Sequence, residues 1–265
     1  MTLIDRTAYP QISKYHSLRD SELQKFYTPN KEELNLINQY CQKETHKLNF
    51  ALLYKVFQKI GRFIPFDEIP KKIVAHLREI LGIHPTIMPG YNSARTKRDH
   101  CQFIRELLNV SPFNQEALAL ATEKALLASK TMNYPADIIN AAIEALVKHR
   151  FELPSFETLD RLVKKCRELV NQEVFHSISS RLNLELKSTF DNLIKITYEQ
   201  SKTGFNELKK IPGKNTITHF NEILAHHNWL CSFGELEQCF IGISKAKIKQ
   251  FSNEARSLDA SNLGF

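Results

Sequence analysis

The feature that most constrains this chain is the repeat of apolar residues at helical spacing in one segment after another, with no convincing run that alternates apolar and polar residues. Spacings of three and four put apolar side chains on one stripe of a helix, whereas a half-buried strand needs a period of two. The chain is therefore expected to be all-α, built of consecutive small helical bundles. With only eight glycines in 265 residues, turn-rich β folds and glycine-rich phosphate loops are disfavoured as well.

Asn30 and Glu33 have the spacing of a capping box, ahead of a helix over 31–42 with Leu34, Ile37 and Cys41 on one face. Residues 47–60 (KLNFALLYKVFQKI) are apolar on most sides, which predicts a helix at the centre of its bundle. Gly61 can stop it in a left-handed turn. Pro70 suits the first turn of the next helix, in which Ile73, Val74, Leu77, Ile80 and Leu81 recur before Gly82. The stretch 82–93 (GIHPTIMPGYNS) is a break. Further helices are expected over 94–109, 114–129, from Pro135 to Val147, and from Ser155 past Val170. Others are expected near 184–199, 216–230 and 245–257, with a loop at 210–215 (KIPGKN). FELPS at 151–155 reads as a domain boundary. The expected organisation is a first bundle over 1–88, a second over 89–152, and a helical linker or scaffold over 153–265.

A hydrophobic fraction of 42% over this length suffices for such cores. The net charge of +7 is unevenly spread: residues 1–110 carry 17 Lys and Arg against 11 Asp and Glu, an excess of +6. An anionic partner would meet that part first. Five cysteines, odd in number, widely spaced and without a CxxC pair, suit reduced thiols and a cytoplasmic protein. The N-terminus has no signal-peptide pattern and no apolar run is long enough to span a bilayer, so no membrane partner is expected.

Chemistry concentrates in residues 95–105 (RTKRDHCQFIR). At about 100° per residue, Cys101, Phe103, Ile104, Leu107 and Leu108 fall on one side. Arg95, Arg98, Gln102 and Arg105 fall on the other, beside Asp99 and Glu106; Lys97 adds a further cation. Arginine can grip guanine or phosphate, and glutamine can pair with adenine. A helix divided this way, following a short helix, suits a recognition helix in a helix-turn-helix-like unit. The connection 82–93 is longer than a standard helix-turn-helix turn. The alternative is a solvated face whose arginines pair with acids along the surface.

Other candidates are weaker. Arg62 suits a phosphate contact or a cation favoured by the helix C-terminus. Lys71 and Lys72 could track a phosphate backbone, and so could Lys209–Lys210 and Lys245, Lys247 and Lys249, or all could be solvated. His100 could donate to phosphate, but its inward arc favours a structural role. Tyr9, Tyr15 and Tyr27 are expected to pack the first bundle rather than reach sugar or phosphate. His226, His227, Cys231 and Cys239 lack the paired spacings of a zinc site. The carboxylates Asp67, Glu68, Asp99, Asp137, Asp160 and Asp191 are scattered, and no phosphate-loop or nucleophile-elbow motif occurs. No catalytic residue and no metal ligand is nominated.

An ordered set of motifs resembles the N-terminal region of the Tn-three family of replicative transposases. These are Leu23–Pro29 (LQKFYTP); Gly61, Arg62 and Phe63 after an apolar helix; Ile73 to Gly82; Arg95, Thr96, His100, Ile104 and Arg105; and Leu153–Leu162 (LPSFETLDRL). No single piece is specific, while the order extends across the chain. The resemblance implies a helical region that recognises the terminal inverted repeats of a transposon on double-stranded DNA. It also implies a bacterial, nucleoid-associated location and allows a homodimer of the full-length transposase. Catalysis in that family belongs to a downstream domain with an Asp-Asp-Glu triad and magnesium. No cofactor is therefore expected in this chain and no activity on its own. The chain would be an engineered piece, a natural truncation or a split gene product. Two alternatives stay open: a non-catalytic helical remnant acting as an interaction or regulatory protein, and an independent enzyme, for which no active site is identifiable.

Overall fold

The computed structural model describes residues 2–12, 18–194 and 216–257. The architecture is all-α: eleven α-helices lie among the described residues, with no strand and one isolated parallel bridge, between Ser111 and Phe151. In order they are α1 (Asp20–Glu22), α2 (Lys31–Tyr40), α3 (Glu44–Ile60), α4 (Lys71–Ile80), α5 (Ala94–Leu108), α6 (Gln115–Ser129), α7 (Pro135–Lys148), α8 (Phe156–Arg181), α9 (Leu184–Ile194), α10 (Ile217–Cys231) and α11 (Lys245–Ser257). Leu23–Tyr27, directly after α1, is a short π-helical turn. Tyr15, Lys209–Lys210 and the expected loop at 210–215 lie outside the described residues. The chain divides into two compact units, one of residues 1–125 and 135–163 and the other of residues 126–134 and 164–265.

In the first unit α3 is the centre, as its sequence predicts: eleven of its 17 residues are buried. Two of them are polar and carry partners. Lys55 pairs with Glu33 at 3.1 Å, and Glu33 also completes the predicted capping box with Asn30. Asn49 holds the backbone of Gly90 on both sides, donating from Nδ2 to its carbonyl at 2.7 Å and accepting its N–H at 3.0 Å. The 82–93 connection is thus tied to the core helix. Buried polar groups tolerate burial only when paired this way. Tyr9 and Tyr27 are buried, as expected, and the Tyr9 hydroxyl donates to the carbonyl of Pro154 at 2.6 Å.

Gly61 ends α3 at φ +69°, and a Cβ there would meet Leu153 at 3.4 Å. The backbone needs both the left-handed conformation and the close approach, so glycine fits both demands. The Leu153 N–H donates to the Gly61 carbonyl at 2.9 Å. Beside it, Ser111 donates to Arg150 and accepts from Glu152, both at 2.8 Å. Residues 150–153 therefore clasp the end of α3 and the loop after α5. FELPS, read from sequence as a boundary, is the segment that forms this clasp.

In the second unit Cys166, Val170, Phe233, Cys239 and Lys247 are buried. Lys247 rests its ammonium on the amide oxygens of Asn171 (3.1 Å) and Gln250 (3.2 Å). It is therefore not a solvated member of the 245–249 lysine series, and burial lowers its pKa. Helix α10 buries none of its side chains.

Candidate nucleic-acid interface

The site is built on α5. Ser93 caps its start, accepting from the Thr96 N–H at 3.5 Å, and Asn109 closes its end at φ +52°. Asparagine tolerates that left-handed conformation better than most residues. The inward face is His100, Cys101 and Ile104. Leu107, expected inward, is 39% exposed. An aromatic group fixes the back of the helix: Phe103 stacks on Tyr40 at 4.1 Å, and the rings of Tyr40 and Phe50 lie 5.6 and 5.4 Å from that of His100. His100 Nδ1 meets the Tyr91 hydroxyl at 2.6 Å, so His100 is structural, as its arc indicated. Burial chiefly, with His46 nearby, pulls its pKa down to about 4. A neutral His100 can accept from the Tyr91 hydroxyl through Nδ1. Asn49 and His100 together pin the connection between α4 and α5 from both sides.

The opposite face of α5 is exposed at Arg95, Lys97, Arg98 and Gln102. It borders a groove of about 800 Å³ lined by Lys97, Arg98, Gln102, Arg105, Asn109 and Glu152, among others. The structure thus brings together Lys97, Arg98, Gln102 and Arg105. Their surroundings differ. Arg95 lies 3.9 Å from Asp99, an exposed pair of little energetic weight. Gln102 donates to Glu106 at 2.9 Å. Arg105 gives a forked pair to Glu152 Oε2, from Nε at 2.9 Å and from Nη2 at 2.8 Å, and lies 5.0 Å over the Phe63 ring. Arg62 lines an adjoining cavity of about 380 Å³ together with Arg105 and Glu152, and its buried Nε has no hydrogen-bond partner. Lys71 and Lys72 lie outside both spaces, in the first turn of α4, where Lys72 donates to the Leu18 carbonyl at 2.7 Å.

Sequence reasoning missed Glu152. It sits 47 positions from Arg105, so no local spacing links them. A signal did exist: three of the ordered motif segments converge here. Gly61–Phe63, Arg105 and the stretch at Leu153 are joined by the clasp, by the forked ion pair and by a long contact of 3.5 Å from the Phe63 N–H to Glu152 Oε1.

No group of three or more His, Cys, Asp or Glu residues able to hold a metal ion occurs among the described residues. Cys231 is exposed beside His227 at 3.8 Å, while Cys239 is buried. The carboxylates that magnesium chemistry needs are not gathered among the described residues. No helix described is long and apolar enough to cross a membrane.

A family model described as a domain of unknown function (DUF4158) matches residues 1–166. The transposase for transposon Tn1546 of Enterococcus faecium is 25% identical over 210 residues, covering 77% of this chain and 21% of that protein. The transposase for transposon Tn2501 of Escherichia coli is 23% identical over 251 residues, covering 88% of this chain and 24% of that protein. The transposase for transposon gamma-delta of Escherichia coli (strain K12) is 22% identical over 241 residues, covering 89% and 24%. The chain thus matches less than a quarter of the length of these relatives. They are transposases, as the ordered motifs resembling the Tn-three family led one to expect.

Proposed function

The chain belongs to the DUF4158 family, and from the exposed basic face of α5 and its transposase relatives we propose that it binds double-stranded DNA in transposition. More finely, it recognises the terminal inverted repeats of a transposon, as the N-terminal part of a transposase. Helices α4 and α5 act as a helix-turn-helix-like unit with α5 as the recognition helix. The observation that carries the reading is that Lys97, Arg98 and Gln102 stand exposed on one side of a helix whose other side is locked to the core. Had that basic side been buried, an interaction protein would be the better reading. Arg62, Lys71 and Lys72 supply phosphate contacts, and with them salt-dependent affinity. Base-edge contacts from α5 supply the sequence preference.

In this reading the stretches 1–88 and 89–152 meet the DNA and 153–265 is linker or scaffold. Magnesium belongs to catalytic residues outside this chain, and the chain alone does not cut DNA. It acts in the bacterial cytoplasm on nucleoid DNA, within a transposase that can form a homodimer.

The test is an anisotropy titration with duplex from the inverted repeats flanking the gene, beside a scrambled duplex of equal length. Tighter binding to the repeat, with log affinity falling linearly against log salt, is expected. Equal affinity for both duplexes overturns the specific reading. A second reading, a non-catalytic remnant acting as an interaction or regulatory protein, draws on the exposed apolar side chains of α10. It gains if neither duplex is bound.

A further inference from the structure

Four side chains on α5 look equivalent in sequence as DNA readers: Arg95, Arg98, Gln102 and Arg105. We infer that they are not equivalent: Arg98 is the specificity-determining residue, reading a guanine edge, and Arg105 is a positioning residue that acts through Glu152. This rests on the DNA-binding reading proposed above.

The argument is one of occupied and unoccupied donors. A guanidinium reads guanine by giving two parallel N–H bonds to O6 and N7. Arg105 already commits one such edge, Nε with Nη2, to Glu152 at 2.9 and 2.8 Å. Its side chain is 27% exposed and that of Glu152 14%, so water screens the pair poorly. Separating them would leave a carboxylate partly buried with no cation beside it, which is costly. The Phe63 ring below Arg105 holds the guanidinium plane in place. Glu152 itself is fixed, because its N–H donates to Ser111 in the clasp. Arg105 therefore ties the C-terminal half of α5 to residues 150–153 and sets the angle at which the helix presents its exposed face.

Arg98 is the opposite case. It is exposed, it borders the same groove, and it has no hydrogen-bond or ion-pair partner among the described residues. Both of its donor edges are available. It lies seven positions before Arg105, two turns along the same face. Lys97 is also exposed and bordering the groove, but an ammonium offers a point charge rather than a fork and suits phosphate. Arg95 and Gln102 are held only by exposed neighbours on their own helix, and such contacts exchange readily for DNA. They add contacts without setting the reading frame.

The experiment selects a preferred site from a randomised duplex library with the full chain, then remakes it with 7-deazaguanine at each guanine in turn, which deletes the N7 acceptor. Binding is read by anisotropy for the wild type, Arg98→Ala, Arg105→Ala, Glu152→Gln and the double variant Arg105→Ala/Glu152→Gln, with thermal unfolding recorded for each. The wild type is expected to lose roughly tenfold at one guanine, and Arg98→Ala to be insensitive at that guanine. Arg105→Ala and Glu152→Gln should keep the sensitivity there while lowering discrimination between selected and random duplex. The double variant should be no worse than the weaker single one, because the two groups act as one unit. Should Arg105→Ala abolish the sensitivity while Arg98→Ala keeps it, the assignment is overturned and the DNA reading stands. Arg105→Ala and Glu152→Gln that unfold no earlier and discriminate as the wild type does would overturn the positioning role. A library that yields no preferred site overturns the specific DNA reading, and this assignment with it.

Discussion

Helices α3 and α10 draw on similar residues and meet opposite fates. By sequence, nine of the 17 residues of α3 and eight of the 15 of α10 are apolar. Yet α3 buries eleven residues while α10 buries none, leaving Ile217 83% and Phe220 63% exposed. Apolar content sets a demand for burial. Whether the demand is met depends on what other segments bring. Around α3 the chain brings α2, α4, α5 and the π-helical turn, and it fastens the joins with Asn49–Gly90, Lys55–Glu33 and the Gly61–Leu153 approach. Among the described residues around α10 the packing is sparser: Trp229 meets Phe233 at 5.1 Å, and Phe233 meets Phe190 at 5.5 Å.

The strongest way to break this contrast is to delete one ring from each helix. Phe50 is fully buried and lies against Tyr40, Tyr54 and Phe103. Phe50→Ala should cost about 3–5 kcal/mol, from lost transfer energy plus the cavity left behind. Phe220→Ala should cost about 0.5 kcal/mol or less, as exposed positions generally do. Denaturant unfolding of the two variants decides. Comparable losses would mean that α10 is covered in solution, and the contrast would fall.

Next in size is the polar fastening of the first unit. Asn49→Ala leaves both the N–H and the carbonyl of Gly90 without their partner in a partly buried place. A loss of about 2–3 kcal/mol is expected. Because Gly90 lies four positions before the start of α5, DNA affinity should fall as well. A variant with unchanged unfolding midpoint would show that apolar packing alone holds the connection.

What could be read in the sequence divides along the same line. The centrality of α3, the Asn30–Glu33 capping box, the stop at Gly61 and the two faces of α5 were all legible, because each depends on residues within a turn or two. Lys247 was not, since a lysine among lysines reads as solvated until Asn171 and Gln250 are seen around it. Nor was the clasp of residues 150–153, whose partners are Gly61 and Ser111. Arg105 was legible as a cation on the right face and illegible as one already held by Glu152. Periodicity records which way a side chain points; it does not record who meets it.

Smaller in effect, and sharper, is a pair of glycines. Gly61 and Gly242 both sit at positive φ, +69° and +82°, but only Gly61 has a neighbour within 4 Å of where a Cβ would be. Gly242→Ala should cost about 1 kcal/mol for the backbone conformation alone. Gly61→Ala should cost about 2 kcal/mol, since Leu153 must also shift. The difference between the two thermal shifts isolates what the close approach adds. Equal shifts would mean that Leu153 moves aside without cost and that the clasp tolerates it.

The smallest expected effect is one of pH, at the histidine behind α5. Burial holds the folded His100 pKa at about 4, below its ordinary value of 6.5. The unfolded chain therefore binds more protons between those two values, so stability must rise with pH across that window. The contribution is fully present above pH of about 6.5 and declines as pH falls toward about 4. By pH 6 the loss is about 1 kcal/mol or less. Two things happen when the ring is charged: it sits among the rings of Tyr40 and Phe50 with His46 and the Cys41 thiol beside it, and Nδ1 can no longer accept from Tyr91. The connection between α4 and α5 would loosen on that side while Asn49 still held it on the other. His100→Gln removes the titration, so its unfolding midpoint should be lower than that of the wild type at pH 7 and lose less between pH 7 and 6. If both proteins lose stability in parallel over that range, another group supplies the acid sensitivity and the back of α5 is indifferent to pH.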